Sequence, residues 1–240
     1  MNRLNFVGNS LLNLLLPRQC LLCHLHCDAD ANVCLSCQSR LPRILNPCSH
    51  CGIDMDIASD SMLCASCIAK PATFDRCIAL YRYQDGARKL VTEFKFNAKF
   101  AAGRYLAEQL AEKVNTHYRH QTKPDAVLPI PMHRTRLLTR GYNQSLLLAQ
   151  RISHLTDIPI ISHGLHKPKA TPAQSSLDSA AARSSNLRGA FKIKPWGVST
   201  NSVILIDDVV TTQATLREAT NTLLAAGVNT VTCFCVARAN

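Results

Sequence analysis

The sequence predicts an α/β protein with a mostly parallel sheet flanked by helices, preceded by a small metal-binding module. Val203–Ile206 is a continuous apolar run, as in strands that are buried on both faces of a parallel sheet. Strand patterns alternate with helical patterns over residues 73–240, which is typical of strand-helix-strand units. Four CxxC pairs lie within residues 20–67, a pattern typical of zinc-binding modules.

The N-terminal module is defined by its cysteine pairs. They are Cys20/Cys23, Cys34/Cys37, Cys48/Cys51 and Cys64/Cys67. Two thiolates at this spacing can share one tetrahedral zinc ion. The simplest arrangement is two four-cysteine sites, one made by the first two pairs and one by the last two, and a cross-braced pairing stays open. Cys27, His24, His26 and His50 lie nearby, but we predict that they are not ligands.

A disulfide framework in an exported domain is the alternative interpretation of these cysteines. Polar residues at Asn9, Ser10 and Asn13 interrupt the apolar N-terminal run, and no small-x-small cleavage site follows. No other run is long enough to span a bilayer. We therefore expect a cytoplasmic protein without a membrane span, in which thiols stay reduced and bind metal. The cysteines expected in the core are Cys77, Cys233 and Cys235.

Length and charge divide the chain in the same way. Its 240 residues suit a metal module at residues 1–72 and one α/β domain at residues 73–240. The first part contains five basic and five acidic side chains, so the net charge of +11 belongs to the second part. A short module cannot bury a sufficient core, and we expect each zinc site to stabilise it by about 10–16 kcal/mol.

The elements of the second part follow from local patterns, after a predicted linker at Lys70–Thr73. One long helix is expected at Ala87–Val114. A second helix is expected from Asn143 to about His154, and a third from Thr215 to the C-cap Gly227. The predicted strands besides Val203–Ile206 are an edge strand at Phe74–Tyr83 and further strands at Asp125–Ile130, Pro159–Ile161 and Thr230–Val236.

Two acids and a threonine-rich turn follow the most apolar strand. Asp207 and Asp208 come directly after it, and the turn Thr211–Thr215 precedes a helix. The N–H groups and dipole of a helix N-terminus attract anions, and carboxylates suit vicinal hydroxyls, so this segment predicts a ribose 5-phosphate site. The alternative is that the acids only cap the helix. A P-loop nucleotidase is excluded because the chain has no GxxxxGK[ST] motif.

A strand that ends in prolines precedes a second candidate anion site. Pro129 and Pro131 end the strand because proline has no N–H to donate. The basic side chains that follow in a predicted loop are those of His133, Arg134, Arg136 and Arg140. Guanidinium groups bind a diphosphate through bidentate, charge-assisted hydrogen bonds. The alternative is a solvated basic loop.

Both segments resemble the ComF/GntX family of phosphoribosyltransferase-like proteins. The family's strand, Asp-Asp, two apolar residues and Thr-Thr-Gly-Ser-Thr match VILIDDVVTTQAT, except that Gln213 replaces the glycine and Ala214 the serine. Its Arg-Gly-Tyr-Asn-Gln run matches residues 140–144. The resemblance implies a type I phosphoribosyltransferase fold behind an N-terminal double zinc ribbon.

The same resemblance implies a site for phosphoribosyl pyrophosphate (PRPP) with Mg²⁺. Asp207 and Asp208 are then expected to hold the ribose 2- and 3-hydroxyls, and a family lysine falls near Lys95. The 5-phosphate is expected at Thr211, Thr212, Gln213, Ala214 and Thr215. The pyrophosphate is expected at Pro131, His133, Arg136, Arg140, Asn143 and Gln144. Because glycine allows positive φ and close backbone approach, Gln213 is expected to reshape the pocket.

Lys167–Phe191 is rich in Ala, Ser and Pro, and a stretch of this length without a core face indicates a lid or a disordered segment. It resembles the family's segment at Thr171, Gln174, Leu177, Arg183, Asn186, Ala190 and Phe191. The resemblance implies a lid that closes over PRPP. Lys169, Gln174 and Arg183 are its candidate contacts, and Lys169 and Arg183 join the two acids as candidate catalytic residues.

The resemblance implies the handling of incoming single-stranded DNA during natural transformation, with a helicase or recombination mediator as partner. If the protein is catalytic, it transfers phosphoribosyl to an acceptor and releases pyrophosphate. The alternative is a non-catalytic protein that binds single-stranded nucleic acid and docks a partner. Aromatic residues, the usual stacking platforms, are only 5% of the chain. The one aromatic cluster, expected to be mostly core, is Tyr81, Tyr83, Phe94, Phe96 and Phe100.

Overall fold

The computed structural model describes residues 19–27, 32–55, 62–168, 189–197 and 199–239. The helices are α1 (Leu35–Ser39), α2 (Ala65–Ala69), α3 (Asp85–Phe96), α4 (Phe100–His117), α5 (Arg134–Arg140), α6 (Gln144–Thr156) and α7 (Ala214–Ala225). The strands are β1 (Arg76–Arg82), β2 (Ala126–Pro129), β3 (Leu165–His166), β4 (Lys192–Ile193), β5 (Ser202–Val210) and β6 (Thr230–Arg238).

The sheet that organises the molecule has the strand order β1-β6-β5-β2, and all three of its strand pairs are parallel. Its central strand β5 is apolar where it crosses the core, and residues 203–206 are completely buried. The predicted edge position of β1 is confirmed. The predicted strand at Pro159–Ile161 joins β2 through one bridge, between Ile160 and Val127, since Pro159 has no N–H to extend the ladder.

Helices cover both faces of this sheet. Alternate residues of a strand point to opposite faces, so Ile204 and Ile206 pack in one cluster with α3, α4 and α6. Val203 and Leu205 pack in the other cluster with α7. The three cysteines predicted as core residues, Cys77, Cys233 and Cys235, lie in this second cluster. The predicted α/β class with a parallel sheet and flanking helices is confirmed.

Two helix predictions are wrong in detail. The single helix expected at residues 87–114 is two helices, α3 and α4, because the chain turns at Ala98, whose φ is +50°. The basic loop expected after Pro131 is the helix α5. His133 caps it by accepting a hydrogen bond from the N–H of Thr135, and Gly141 ends it with a φ of +85°, a conformation that glycine adopts without strain.

The cysteine-rich segment packs against the outer edge of β1. The N–H of Cys77 donates to the carbonyl of His50 at 2.7 Å, and the N–H of Arg82 donates to that of Pro42 at 2.8 Å. The side chain of Arg82 also lies 3.3 Å from Asp54. An unpaired sheet edge exposes hydrogen-bonding groups that invite association, so this segment covers the edge and completes the sheet.

No helix in the described ranges combines the length and the apolar character that crossing a membrane requires.

The burial of α6 generates a test of the core. Leu148 on α6 is completely buried, whereas Leu138 on the neighbouring α5 is 78% exposed. We expect Leu148→Ala to lower the free energy of unfolding by about 2–5 kcal/mol, because it removes buried methyl groups and leaves a cavity. Leu138→Ala is the control and is expected to change it by no more than about 0.5 kcal/mol. Urea unfolding in zinc-containing buffer measures both, and equal effects would contradict the assignment of α6 to the core.

Candidate functional site

The eight cysteines of the CxxC pairs form two groups of four. Cys20, Cys23, Cys34 and Cys37 make the first group and Cys48, Cys51, Cys64 and Cys67 the second, with the sulfur atoms of each group within 4.8 Å of one another. The sequential pairing is thereby confirmed, and the cross-braced alternative is wrong. The neighbouring histidines and Cys27 belong to neither group.

The geometry of both groups fits a zinc ion. A tetrahedral site with Zn–S bonds of about 2.3 Å places its sulfurs about 3.8 Å apart. Cys23 and Cys34 are 3.8 Å apart, and Cys51 and Cys64 are 3.6 Å apart, far beyond the length of a disulfide bond. Backbone N–H groups point at the sulfur of Cys20, as they do around thiolate ligands. The residues present therefore fit two structural zinc sites.

A second site lies at the carboxyl edge of the parallel sheet, where ligands of α/β proteins bind. It is a cavity of about 440 Å³, formed where β2, β5 and the helices that follow them meet. Its described lining residues are Tyr83, Lys95, Phe96, Ile130, Pro131, Met132, His133, Arg136, Arg140, Asn143, Gln144, Ser145, Lys167, Asp207, Asp208, Val209, Thr211 and Thr215. The two segments predicted to bind anions therefore line one cavity.

The acid pair forms one wall of this cavity and is held from three sides. Asp207 accepts hydrogen bonds from the hydroxyl of Ser145 at 3.1 Å and from the N–H of Asp208 at 2.9 Å. Asp208 is buried, and one of its carboxylate oxygens lies 2.8 Å from the amine of Lys95. Burial acts to lower the pKa of Lys95, but the charge of Asp208, the hydrogen bond to Asp208 and the charge of Asp207 together outweigh burial, and the pKa is raised. Lys95 therefore stays protonated beside the acids.

Asp207 has an unusual proton affinity for a carboxyl group. Removal from water raises its pKa to about 7, and the neighbouring charge of Asp208 acts in the same direction, while Lys95 opposes both. Two carboxylates in one low-dielectric site resist being ionised together. Such perturbed acids in a cleft are characteristic of functional sites.

Cationic side chains from other segments line the same cavity. Arg140 donates to the side-chain oxygen of Gln144 at 3.0 Å and lies 5.1 Å above the ring of Phe96. Removal from water lowers the pKa of Lys167 to about 8, and the nearby charge of Arg136 contributes to this shift. The cavity thus has an acidic wall on β5 and a basic wall on α5 and the segment after β3, which suits a ligand with both hydroxyls and phosphates.

Only some residues of the threonine-rich turn line the cavity. Thr211 and Thr215 line it, whereas Thr212, Gln213 and Ala214 are not among the lining residues. Gln213 has a φ of +62°, the conformation for which the family uses glycine. Its side-chain oxygen accepts a hydrogen bond from Arg217 at 3.3 Å, and the expectation that Gln213 reshapes the pocket stays a prediction. The buried hydroxyl of Thr212 makes no hydrogen bond within the described residues.

One buried arginine joins the turn to the second zinc group. The guanidinium of Arg238 donates to the carbonyls of Val210 and Thr211 at the start of the turn and to that of Cys51, a zinc-group cysteine. Arg217 makes a second connection, because it donates to the carbonyls of Lys70 and Pro71 in the predicted linker. The shape of the turn therefore depends on the metal module.

Sequence reasoning found most of the lining residues and missed some. Ser145 and Lys167 had no motif to mark them, and Lys95 was marked only by the family pattern. The exposure of Phe96 was also missed, because its spacing in a helical segment indicated a core residue. The lid candidates Lys169, Gln174 and Arg183 lie outside the described residues.

The fold and the cysteine groups define a zinc-ribbon α/β protein whose sheet ends in an acid pair. A family model described as a double zinc ribbon domain matches residues 11–71. Competence protein F of Haemophilus influenzae is 34% identical over 227 residues, which is 90% of this chain and 96% of that protein. The DNA utilization protein YhgH of Escherichia coli is 30% identical, covering 94% of this chain and 99% of that protein. The chain belongs to the ComF family, as its motifs predicted.

Solved structures with which the chain aligns include a PRPP amidotransferase and an orotate phosphoribosyltransferase. The glutamine PRPP amidotransferase of Bacillus subtilis, complexed with ADP and GMP, is 18% identical with a TM-score of 0.40, covering 60% of this chain and 30% of that one. The orotate phosphoribosyltransferase of Aeropyrum pernix is 14% identical with a TM-score of 0.34, covering 64% of each chain.

The sulfur geometry generates a test of the zinc pairing. We expect about two zinc ions per chain. The double variant Cys23→Ser/Cys34→Ser damages one group and is expected to retain about one zinc. Cys23→Ser/Cys51→Ser damages both groups and is expected to retain about none. Elemental analysis of the purified proteins measures this, with Cys77→Ser as the control that keeps both ions; the reverse order of the two double variants would indicate cross-bracing.

The raised pKa of Asp207 generates a test by pH. An unfolded aspartate has a pKa near 3.9, so between about pH 4 and pH 7 the folded state binds the additional proton and its stability falls as pH rises. Asparagine cannot ionise, so the Asp207→Asn variant does not lose stability in this way. Between pH 6 and pH 8.5 its free energy of unfolding is expected to rise by about 1 kcal/mol relative to that of the wild type. Urea unfolding of both proteins at each pH measures the difference. If the free energy of unfolding of the variant instead fell relative to that of the wild type as the pH rose, the ionised carboxylate would be the form that the fold stabilises.

Proposed function

We propose that this protein binds PRPP with Mg²⁺ in the cavity at the carboxyl edge of its sheet. The observation that carries the proposal is that the acid pair, the threonine turn and the arginines of α5 line one cavity of about 440 Å³, within the usual size range of small-molecule sites. The ligand has a diol between two phosphate-bearing ends. The acidic wall suits the diol, and the basic wall suits the pyrophosphate.

Each end of PRPP has matching groups in the proposed complex. Asp207 and Asp208 accept hydrogen bonds from the ribose hydroxyls. The 5-phosphate lies in the turn, where Thr211 and Thr215 line the cavity and their hydroxyls are donors for phosphate oxygens. The pyrophosphate lies along Arg136 and Arg140, whose guanidinium groups form charge-assisted bonds with phosphate oxygens.

Lys95 links the two walls. Its amine pairs with Asp208 at 2.8 Å, and this pairing orients the buried carboxylate. A hydroxyl of the ribose has to share Asp208 with this lysine. Lys95 therefore fixes the direction from which the sugar binds and contributes positive charge beside the pyrophosphate.

In the proposed complex, Mg²⁺ binds together with PRPP. It prefers oxygen ligands and retains several waters, and it is usually held by one or two carboxylates together with substrate phosphates. Asp207 and Asp208 supply carboxylate oxygens, and the pyrophosphate supplies the rest. If the protein turns PRPP over, the ion and the arginines stabilise the charge on the departing pyrophosphate, with Lys169 and Arg183 as the proposed lid contacts.

The family relationship supports a role for this binding in the handling of DNA. Relatives are named competence proteins and DNA utilization proteins, and we propose a role in competence for this chain, in the cytoplasm, on incoming single-stranded DNA, with a helicase or recombination mediator as partner. The second candidate function is single-strand binding without turnover. Two exposed phenylalanines beside the cavity, Phe96 and Phe100, favour it because such rings stack on bases. The two functions are compatible if PRPP regulates the binding of DNA.

Thermal unfolding tests the proposed pocket. PRPP with Mg²⁺ at 100 times its Kd is expected to stabilise the wild type by about 2.7 kcal/mol and so to raise its Tm by several degrees. The variant Asp207→Asn/Asp208→Asn is expected to show no shift, because the carboxylates that hold the diol are gone. Asp157→Asn, at an exposed position after α6, is the control and is expected to shift like the wild type. Equal shifts in all three proteins would reject the assignment of the pocket.

A further inference from the structure

Phe96 and Phe100 are exposed although the other described phenylalanines are not. Phe74, Phe94, Phe191 and Phe234 are between 0% and 4% exposed. Phe96 is 64% exposed and Phe100 is 55% exposed. Exposing two large rings so close in sequence forgoes the stabilisation that burial provides, and neighbouring exposed apolar side chains commonly mark a binding surface.

The two rings lie at the junction of α3 and α4, next to the mouth of the cavity. Phe96 is the last residue of α3 and lines the cavity, and Phe100 is the first residue of α4. The ring of Phe100 packs 5.1 Å from that of Tyr142, whose hydroxyl donates to the carbonyl of Phe94. Tyr142 thus packs against Phe100 at the junction of the two helices and restricts the position of its ring.

Arg140 makes the surface cationic as well as aromatic. Its guanidinium stacks over Phe96 at 5.1 Å and is oriented by Gln144 at 3.0 Å. A planar guanidinium beside an exposed ring offers two flat surfaces for stacking and a charge for phosphate. Lys99 is also at this junction, paired with Glu93 at 2.5 Å, and the acids Asp207 and Asp208 lie in the cavity wall. The surface at the junction itself is therefore apolar and positively charged.

We propose that Phe96, Phe100 and Arg140 form a stacking site for unpaired bases of single-stranded DNA at the mouth of the cavity. This proposal rests on the DNA-handling part of the proposed function and specifies where the strand binds. The occupant must present flat rings and negative charge together, which a single strand does through its bases and phosphates. The positive charge of the chain, which lies in residues 73–240, complements a polyanion.

The position of the stacking site couples the binding of DNA to the binding of PRPP in the cavity. Phe96 and Arg140 belong to both surfaces, so a base stacked on Phe96 lies beside the ligand in the cavity. Arg140 cannot neutralise a DNA phosphate and a pyrophosphate with full strength at once. PRPP and the strand are therefore expected to weaken each other's binding, with equal factors in both directions.

The experiment uses the full zinc-loaded chain and a single-stranded oligonucleotide carrying one 2-aminopurine, whose fluorescence falls when the base stacks. The wild type is expected to quench the signal and to bind with an affinity that falls steeply with salt. Phe100→Leu, and Phe96→Leu/Phe100→Leu, keep apolar side chains but remove the rings. We expect them to lose about 5- to 150-fold in affinity for each base that no longer stacks, with quenching reduced and the salt slope unchanged.

Two controls distinguish the stacking site from the proposed PRPP cavity. Leu138→Ala removes an exposed leucine that is 78% exposed on α5, and is expected to bind DNA like the wild type. Phe100 does not line the cavity, so Phe100→Leu is expected to keep the Tm shift with PRPP. A ring-dependent loss of DNA affinity supports the stacking site even where PRPP gives no shift in any protein.

Two results would overturn the stacking site. In the first, the ring variants bind DNA with the affinity, quenching and salt dependence of the wild type. The protein would then bind DNA through phosphate contacts alone, and the DNA-handling function would remain. An absence of oligonucleotide binding by the folded wild type would remove the stacking site and the DNA-handling function together. A Tm shift with PRPP in either case would leave the cavity assignment intact.

Discussion

The parallel pairing of β2 with β5 is the constraint on which the candidate site depends. Leu128 pairs with Leu205 and Pro129 with Ile206, and the N–H of Ile130 donates to the carbonyl of Ile206 at 2.9 Å. This register places the end of β2 beside Ile206 of β5, directly before the two acids. A shift by one residue would turn every side chain of β2 to the opposite face, and the basic segment after Pro131 would no longer oppose the acids after Ile206.

Electrostatics sets the character of the cavity within that frame. Removal from water, together with the charge of Asp208, raises the pKa of Asp207, while Lys95 keeps Asp208 in an ionic contact. Such contacts are strong because the cavity wall excludes water, and the same exclusion penalises a charge without a partner. The site therefore combines an acid pair with cationic side chains, and a ligand with hydroxyls and phosphates exchanges its water for groups that are already oriented.

The metal module contributes to the site through the backbone. It covers the outer edge of β1, and Arg238 bridges the carbonyl of Cys51 to those of Val210 and Thr211. A buried guanidinium that loses one acceptor is costly to leave unpaired. The conformation of the threonine turn and the integrity of the second cysteine group are therefore mechanically connected, although no zinc ligand lines the cavity in the described part of the chain. The domain boundary near residue 72 stays a prediction, since the two parts share contacts across it.

The sequence by itself determined the fold class, the four CxxC pairs and most of the cavity. These features are local: a four-residue apolar run forms a buried strand, two cysteines at a fixed spacing share a metal, and prolines end a strand. It also marked Asp207, Asp208, Arg136 and Arg140, because motifs carry such residues next to each other in the chain. Only the tertiary structure decided which of the aromatic residues near the site are buried, since Phe94 and Phe96 have the same propensities and differ only in what packs against them. It also decided that Ser145 and Lys167 face the acids, that α5 is a helix, and that Gln213 turns toward Arg217. These contacts join segments far apart in sequence, and no local pattern encodes the distance between them.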